Sequence, residues 1–374
     1  MSFSFSFAGD DIEDDTSTPQ GAPSASTPTA SASASSAFPV QGKPLLPPVH
    51  HDLGQMLSSL PSKIAYSLLD VDLDGKASIH IPRRELWDVR VQLMAEEDGE
   101  EDGEGAAPGL GSHDVKTGIY EGGFKSWESS VDLVKVLAAE DFPGALTGGP
   151  FRIVELGCGT ALPSLALFQW ALVQKDSEHD RIPLCLTLAD YNPSVLQLVT
   201  LPNFLLAWAL HQQQHDELLK VAFSSTEGEL DITEHVIDSF KAFLSSSEIA
   251  LHFISGGWSP DFVDLVNSSS AVPSSHTASD VNTQKTLIMG AETIYSPFAL
   301  SSFTDTLLSI LSQERDARPS REAVAIVAAK RLYFGVGGSL DDFVDKIRNL
   351  GAAVSLVREE TEGVRRGVVR CTLP

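Results

Sequence analysis

The chain has 374 residues, 42% of them hydrophobic, and a formal net charge of −25 at neutral pH. A chain of this length holds one large domain of about 250 residues with appendages, or two smaller domains. Residues 1–48 and 96–105 hold twelve acids and only Lys43, so they carry −11 and leave −14 on the remainder; that field repels nucleic-acid phosphates and favours a basic protein as partner over free DNA or RNA.

Residues 1–48 are rich in Ser, Ala, Thr and Pro with an acidic cluster at Asp10 to Asp15, a composition that buries too little apolar surface to offset ordering. We expect a disordered tail there. The alternation of Phe3, Phe5 and Phe7 fits a docking motif or stray aromatics in that tail. With no early Lys or Arg and no apolar core, this start is not expected to be a signal peptide. No continuous apolar run approaches the roughly 20 residues of a membrane helix, so a soluble protein of the cytoplasm and nucleus is expected; a monomer is expected as well.

An extension is expected over 49–113, with short strands at 63–68 and 77–81 around the turn Asp72-Leu73-Asp74-Gly75. Asp70, Asp72, Asp74 and Gly75 match the first, third, fifth and sixth positions of a calcium-binding EF-hand loop, but its twelfth position, which needs a bidentate Glu, is Ile81. A small N-terminal β-hairpin is the preferred reading. The run 96–105, almost all acid and glycine, reads as a mobile surface loop.

From about residue 114 to 374, apolar runs of strand length alternate with helical stretches, the pattern of an α/β sheet with crossover helices. Strands are predicted at 151–156, 184–189, 249–254, 286–289 and 323–328, with helices at 129–139, 162–173 and 298–311 among them. A further helix starts at Ser339, in capping-box spacing with Asp342, and stops near Gly351. Two strands, 353–357 and 364–372, close the chain. Cys158, Cys185 and Cys371 are odd in number and without C-x-x-C spacing, so reduced thiols and no metal site are expected.

The chemistry concentrates in Glu155-Leu156-Gly157-Cys158-Gly159, a strand ending in an acid and a glycine turn that lets backbone approach a ligand. A dinucleotide fingerprint needs a small residue at its sixth position, and Leu162 stands there. A methyltransferase that uses S-adenosylmethionine instead wants Glu155 and a second acid at the end of the next strand to hold ribose hydroxyls. Asp190, in Ala189-Asp190-Tyr191-Asn192, occupies that place. A terminal antiparallel hairpin agrees, since class I methyltransferases end their seven-stranded, Rossmann-like sheet that way.

The third predicted strand ends in Ser255-Gly256-Gly257-Trp258, where small residues could leave space for an adenine flanked by Trp258, or a core Trp could follow a glycine turn. The segment 118–128 packs aromatics and acids around Gly122 and Gly123, as a lid or a helix entry would. The fourth strand ends in Gly290-Ala291-Glu292-Thr293-Ile294-Tyr295, and ligands of open α/β sheets bind beyond the carboxyl ends of the strands.

Assembled, these segments resemble the protein-histidine methyltransferase family that modifies a histidine of large-subunit ribosomal protein L three. The resemblance rests on Tyr120-Glu121-Gly122-Gly123-Phe124-Lys125-Ser126-Trp127-Glu128, Glu155 to Gly159, Ala189 to Asn192, Ser255 to Trp258 and Ala291 to Tyr295, and spans roughly residues 60–374. Lysine-modifying relatives usually begin the fourth-strand motif with an acid, where this chain has Gly290. Gly257 departs from the polar residue usual at its position, and a Ser-rich insertion lies at 267–279.

The resemblance implies S-adenosylmethionine held by Ser126, Trp127, Glu128, Glu155, Gly157, Cys158, Gly159, Asp190, Tyr191, Asn192, Ser255, Gly256, Gly257, Trp258, Gly290 and Ala291, with Glu292 and Tyr295 catalytic. Glu292 either accepts the far N–H of the substrate imidazole or caps the following turn. A lysine methyltransferase of the same fold and a non-catalytic binding module for a basic ribosomal protein are the competing readings.

Overall fold

The computed structural model describes residues 44–98, 122–175, 182–269, 284–317, 323–335 and 337–374. Phe3, Phe5 and Phe7, the acidic loop beyond residue 98, Tyr120 and Glu121, and the insertion from residue 270 lie outside the described residues. The strands are β1 (Val49–His51), β2 (Lys63–Asp72), β3 (Ser78–Arg84), β4 (Phe151–Leu156), β5 (Leu184–Asp190), β6 (Glu229–Asp231), β7 (Ile249–Ser255), β8 (Lys285–Ala291), β9 (Ala323–Lys330), β10 (Ala353–Glu360) and β11 (Arg366–Thr372).

Eight of them form one sheet in the order β1-β7-β5-β4-β8-β9-β11-β10. The run from β7 to β9 is parallel, and β11 returns antiparallel between β9 and β10. Every residue of β4 is buried, as expected of a central parallel strand covered on both faces. Alternate residues serve the two faces: Ile153, Leu186 and Leu287 join one apolar cluster, Val154, Ala189 and Ile288 the other.

The sheet departs from the seven strands read in the sequence by one. β1 adds an antiparallel edge to β7, with Val49 opposite Ser255 and His51 opposite Phe253. A three-residue strand leaves too short a pattern for periodicity to reveal, and its partner is about two hundred positions away. Residues 44–48, assigned to the tail by composition, run along the β7 end of this sheet. The Leu46 carbonyl there accepts the Gly257 N–H at 2.8 Å.

The predicted hairpin is β2–β3, extended by β6 into a three-stranded sheet. Ile64, Val71, Ile79 and Ile81 of this small sheet belong to the larger apolar cluster. Its turn carries Asp74 in the left-handed region, φ 57°, and Asp72 Oδ1 accepts the Gly75 N–H at 2.8 Å. Asp74 is engaged by the Arg358 guanidinium through two bonds of 2.7 and 2.9 Å, which gives the carboxylate a cationic partner without a metal.

The stretch Pro193–Gln212 is helical over 20 residues and apolar enough to cross a membrane by length and composition, but 83% of that window is buried inside the protein. Pro202 cannot donate a backbone hydrogen bond, and the preceding turn widens so that the Leu201 N–H reaches back to the Leu196 carbonyl. At this bulge Thr200 Oγ1 donates to the Gly159 carbonyl at 2.7 Å, and Asn203 Nδ2 donates to the Thr160 carbonyl at 3.0 Å. A core helix thereby fixes the glycine turn.

Arg152 on β4 is wholly buried and paired with Glu314 of the Pro297–Ala317 helix; it also donates to the Val266 carbonyl at 2.6 Å. Removing one partner of such a pair leaves an uncompensated buried charge. Glu314→Ala should lower the unfolding free energy by about 3–5 kcal/mol, measured by denaturant titration. A loss below about 1 kcal/mol, the range of exposed pairs, would contradict this.

Candidate active site

The carboxyl ends of β4, β5, β7, β8 and β9 surround a cavity of about 270 Å³. Gly157, with φ 67°, and Gly159, with φ 52°, form its floor in conformations that favour glycine. A Cβ on Gly157 would stand 2.6 Å from Thr293 Cγ2, and one on Gly159 would stand 3.1 Å from the Gly123 carbonyl. Gly123 in turn lies where a Cβ would strike Val195, so the Gly-Gly pair of the upstream motif seats that segment on the cofactor turn.

Asp190 closes the turn from the next strand. Its Oδ2 accepts the Gly159 N–H at 3.0 Å and its Oδ1 the Asn192 N–H at 3.1 Å, leaving further lone pairs at the cavity wall. Burial pushes its carboxyl up to about 6, against backbone hydrogen bonds that favour the charged form. Glu155 stands behind it. It is 2% exposed, and its Oε2 accepts the Ser164 N–H at 3.1 Å and the Ser164 hydroxyl. Burial lifts its carboxyl to about 8, with the Asp190 charge adding to the shift. The two acids therefore divide at neutral pH: Glu155 keeps a proton and Asp190 carries the charge.

Trp127, Cys158, Tyr191, Gly256, Trp258, Ala291, Glu292 and Tyr295 also line the cavity. The Cys158 thiol is raised well above its ordinary range, chiefly by burial, so it serves as a wall and not as a nucleophile. Trp258 lines the cavity on one side and meets Phe303 at 5.5 Å on the other.

Six expected cofactor contacts fall elsewhere, and Glu155 makes a seventh. Glu155 ties down the start of the Leu162–Lys175 helix instead of facing the cavity. Ser126 bonds Thr160 Oγ1 at 3.0 Å, beneath the wall. Glu128 turns outward to Arg366 at 2.9 Å. Asn192 caps the short Pro193–Val195 turn. Ser255 bonds His51 Nε2 at 2.8 Å across the added edge strand. Gly257 is covered by Leu45, and Gly290 by Phe303, whose Cζ stands 2.6 Å from where a Cβ would be. No acid fits at position 290 without moving that ring. The corrections at Ser126, Glu128, Ser255, Gly257 and Gly290 involve long-range contacts that spacing along the chain does not encode, whereas those at Glu155 and Asn192 are local.

Glu292 has φ 58°, a left-handed conformation costly for a residue with a Cβ, and its N–H is held by the Ala328 carbonyl at 3.0 Å. Its carboxylate accepts from Ser129 Oγ and from the Tyr333 hydroxyl. Burial raises its pKa, opposed first by the Ser129 and Tyr333 hydrogen bonds and then by Lys330 and Arg366. The next helix takes its cap from Ser296, whose Oγ accepts the Ala299 N–H at 3.2 Å. Tyr295 lines the cavity beside Asp190 and Tyr191, with its phenol pushed up to about 12 by burial and by those charges.

Sequence reading missed Leu45, Ser129, Lys330 and Tyr333. The Lys330 ammonium lies 5.2 Å from the Trp127 ring centre and 5.7 Å from that of Tyr333. Ending the fifth strand at residue 328 hid Lys330, which the carboxyl-end rule would have found two positions later.

The cavity fits S-adenosylmethionine in three respects. Its glycine floor excludes any Cβ, an anionic Asp190 faces it, and Thr293 Oγ1 lies buried at its edge with no hydrogen-bond partner among the described residues. Joined to a parallel sheet ending in β11 between β9 and β10, these features define a class I S-adenosylmethionine-dependent methyltransferase.

Relatives place it further. The chain is 32% identical over 320 residues to Histidine protein methyltransferase 1 of Schizosaccharomyces pombe, covering 85% of this chain and 83% of that protein. To Histidine protein methyltransferase 1 of Saccharomyces cerevisiae it is 32% identical over 394 residues, covering 99% and 98%. A Bos taurus homolog of that enzyme matches at 26% over 266 residues. The chain belongs to this histidine protein methyltransferase family and is an S-adenosylmethionine-dependent protein methyltransferase. No protein-family model matches it. Superposition on human methyltransferase-like protein 13 in complex with SAH covers 67% of this chain and 83% of that chain with a TM-score of 0.31 and 17% identity, so the family assignment rests on the yeast sequences.

The division of charge between Glu155 and Asp190 predicts a pH effect. Glu155 binds its proton more tightly folded than unfolded, so its contribution is fully present below about pH 4.5 and is lost as pH rises through about 8. Glu155→Gln keeps an oxygen for Ser164 and cannot ionise. Its melting temperature should fall less than that of the parent between pH 5 and pH 8. Parallel curves would contradict the buried proton.

Proposed function

We propose that the acceptor is an imidazole nitrogen of a histidine in a basic ribosomal protein, large-subunit protein L three, modified in the cytoplasm and nucleus. The observation that carries the chemical part is Glu292. Among the described residues the acids lining the cavity are Asp190, which organises the glycine turn after β4, and Glu292, which follows β8 across the cavity from it.

When bound, the cofactor supplies an electrophilic methyl group on a positively charged sulfur. The residues have to orient a ring nitrogen in line with it. A histidine of pKa near 6.5 is largely neutral at cytosolic pH, whereas a lysine of about 10.4 must first lose a proton. Two tautomers exist, and an acceptor on the far ring N–H selects the one whose lone pair faces the methyl group. Glu292 is that acceptor: Ser129 and Tyr333 fix its carboxylate, and a carboxylate retains free lone pairs. It also opposes the positive charge that grows on the ring.

Two features support a basic substrate. The net charge is −25, and the cavity meets a wider opening of about 700 Å³ at Lys125, Trp127 and Thr160. Seven acids, Asp70, Asp72, Glu85 and Glu362 among them, line that opening against five basic residues, so its lining is acidic by two charges. Together these favour approach of a cationic chain.

Labelled S-adenosylmethionine should transfer its methyl group to one histidine of L three in extract from cells lacking the enzyme, identified by peptide mass spectrometry. Methyl-lysine, or binding of the protein without transfer, would contradict the proposal. At saturating cofactor, Glu292→Gln should lower turnover by about two orders of magnitude while leaving cofactor affinity within about twofold. Near-normal turnover would remove Glu292 from the mechanism.

A further inference from the structure

The cavity has a wall that does not come from the methyltransferase sheet's own loops. Leu45 lines it, together with Asp190, Tyr191, Gly256 and Trp258. The segment carrying Leu45 is clamped from both sides. The Leu46 N–H donates to the Tyr191 hydroxyl at 3.1 Å, and the Leu46 carbonyl accepts the Gly257 N–H at 2.8 Å. Three residues later the chain becomes β1, zipped to β7 and bonded through His51 Nε2 to Ser255 Oγ at 2.8 Å.

The two glycines of the third-strand motif are shaped by this segment. Gly256 has φ 109°, and a Cβ there would stand 2.4 Å from the Pro47 carbonyl oxygen. A Cβ on Gly257 would stand 2.7 Å from Leu45 Cβ. Neither position has room for a side chain while residues 45–47 are in place. The Gly256 N–H in turn reaches the Asp190 and Tyr191 carbonyls at 3.1 and 3.2 Å. A continuous set of hydrogen bonds thus joins the strap, the third-strand loop and Asp190.

We infer that residues 44–48 are a cofactor-binding strap, in which Leu45 supplies an apolar wall for S-adenosylmethionine and Gly257 is the socket that admits it. The strap binds cofactor and product alike, because Leu45 offers no charge that distinguishes the reacting sulfonium from the neutral product. Its loss therefore weakens binding without slowing the chemical step.

Leu45→Ala removes three carbon atoms from that wall. It should raise the dissociation constant for S-adenosylhomocysteine, measured calorimetrically, about fivefold to tenfold. The KM for S-adenosylmethionine should rise by the same factor with kcat kept within about twofold, and Leu45→Met should restore both. In the unaltered protein, saturation with S-adenosylhomocysteine should slow hydrogen exchange of the backbone amides in residues 45–51 by about tenfold. Binding of Leu45→Ala equal to the parent, a fall in kcat at unchanged KM, or exchange in 45–51 indifferent to the product would each overturn the strap.

Discussion

The Asp190 carboxylate is the constraint on which the site depends. One oxygen holds the N–H of Gly159 and the other the N–H of Asn192, so the turn after β4 and the turn after β5 share one anion. Charge-assisted bonds of this kind are roughly twice as strong as neutral ones, and they act here in a buried setting. Backbone N–H bonds favour the Asp190 charge against burial, whereas Glu155, whose hydrogen bonds come from a single serine, is pushed up to about 8 by burial. The glycine turn is thereby shaped before a ligand arrives.

Three supports converge on the same turn from parts of the chain far apart. Pro202 forces a widened helical turn, and that turn directs Thr200 and Asn203 at the carbonyls of Gly159 and Thr160. Gly123 packs over Gly159 from the upstream segment. Tyr191, one residue beyond Asp190, receives the strap through the Leu46 N–H. Across the cavity, Glu292 is held in a left-handed backbone by Ala328 and by Ser129 and Tyr333. A rigid anionic cradle faces a positioned acceptor, the arrangement that an in-line transfer to a neutral nucleophile requires.

Much of this was legible in the sequence because it is local. The five parallel strands, the glycine turn, Asp190 and the terminal hairpin follow from runs of apolar residues and from an acid at the end of a strand. Ser339 caps its helix as its spacing with Asp342 indicates, accepting the Asp342 N–H at 2.9 Å. What stayed hidden is what folding brings together. Glu155 and Asp190 look alike in sequence, each closing a strand, yet one is sealed behind Ser164 and the other faces the cavity. Gly256 and Gly257 read as room for a ligand, but they make room for Pro47 and Leu45, and Gly290 makes room for Phe303. Lys330 and Tyr333 escaped because the fifth strand runs two residues further than its apolar pattern.

Asp190→Ala tests the central claim most directly, by calorimetric titration with S-adenosylhomocysteine. Loss of one carboxylate that organises both turns and faces the ligand should raise the dissociation constant at least about tenfold, given roughly 1.5–3 kcal/mol for a charge-assisted hydrogen bond. The parent affinity, retained in a variant that still unfolds cooperatively, would mean that the cofactor is held elsewhere.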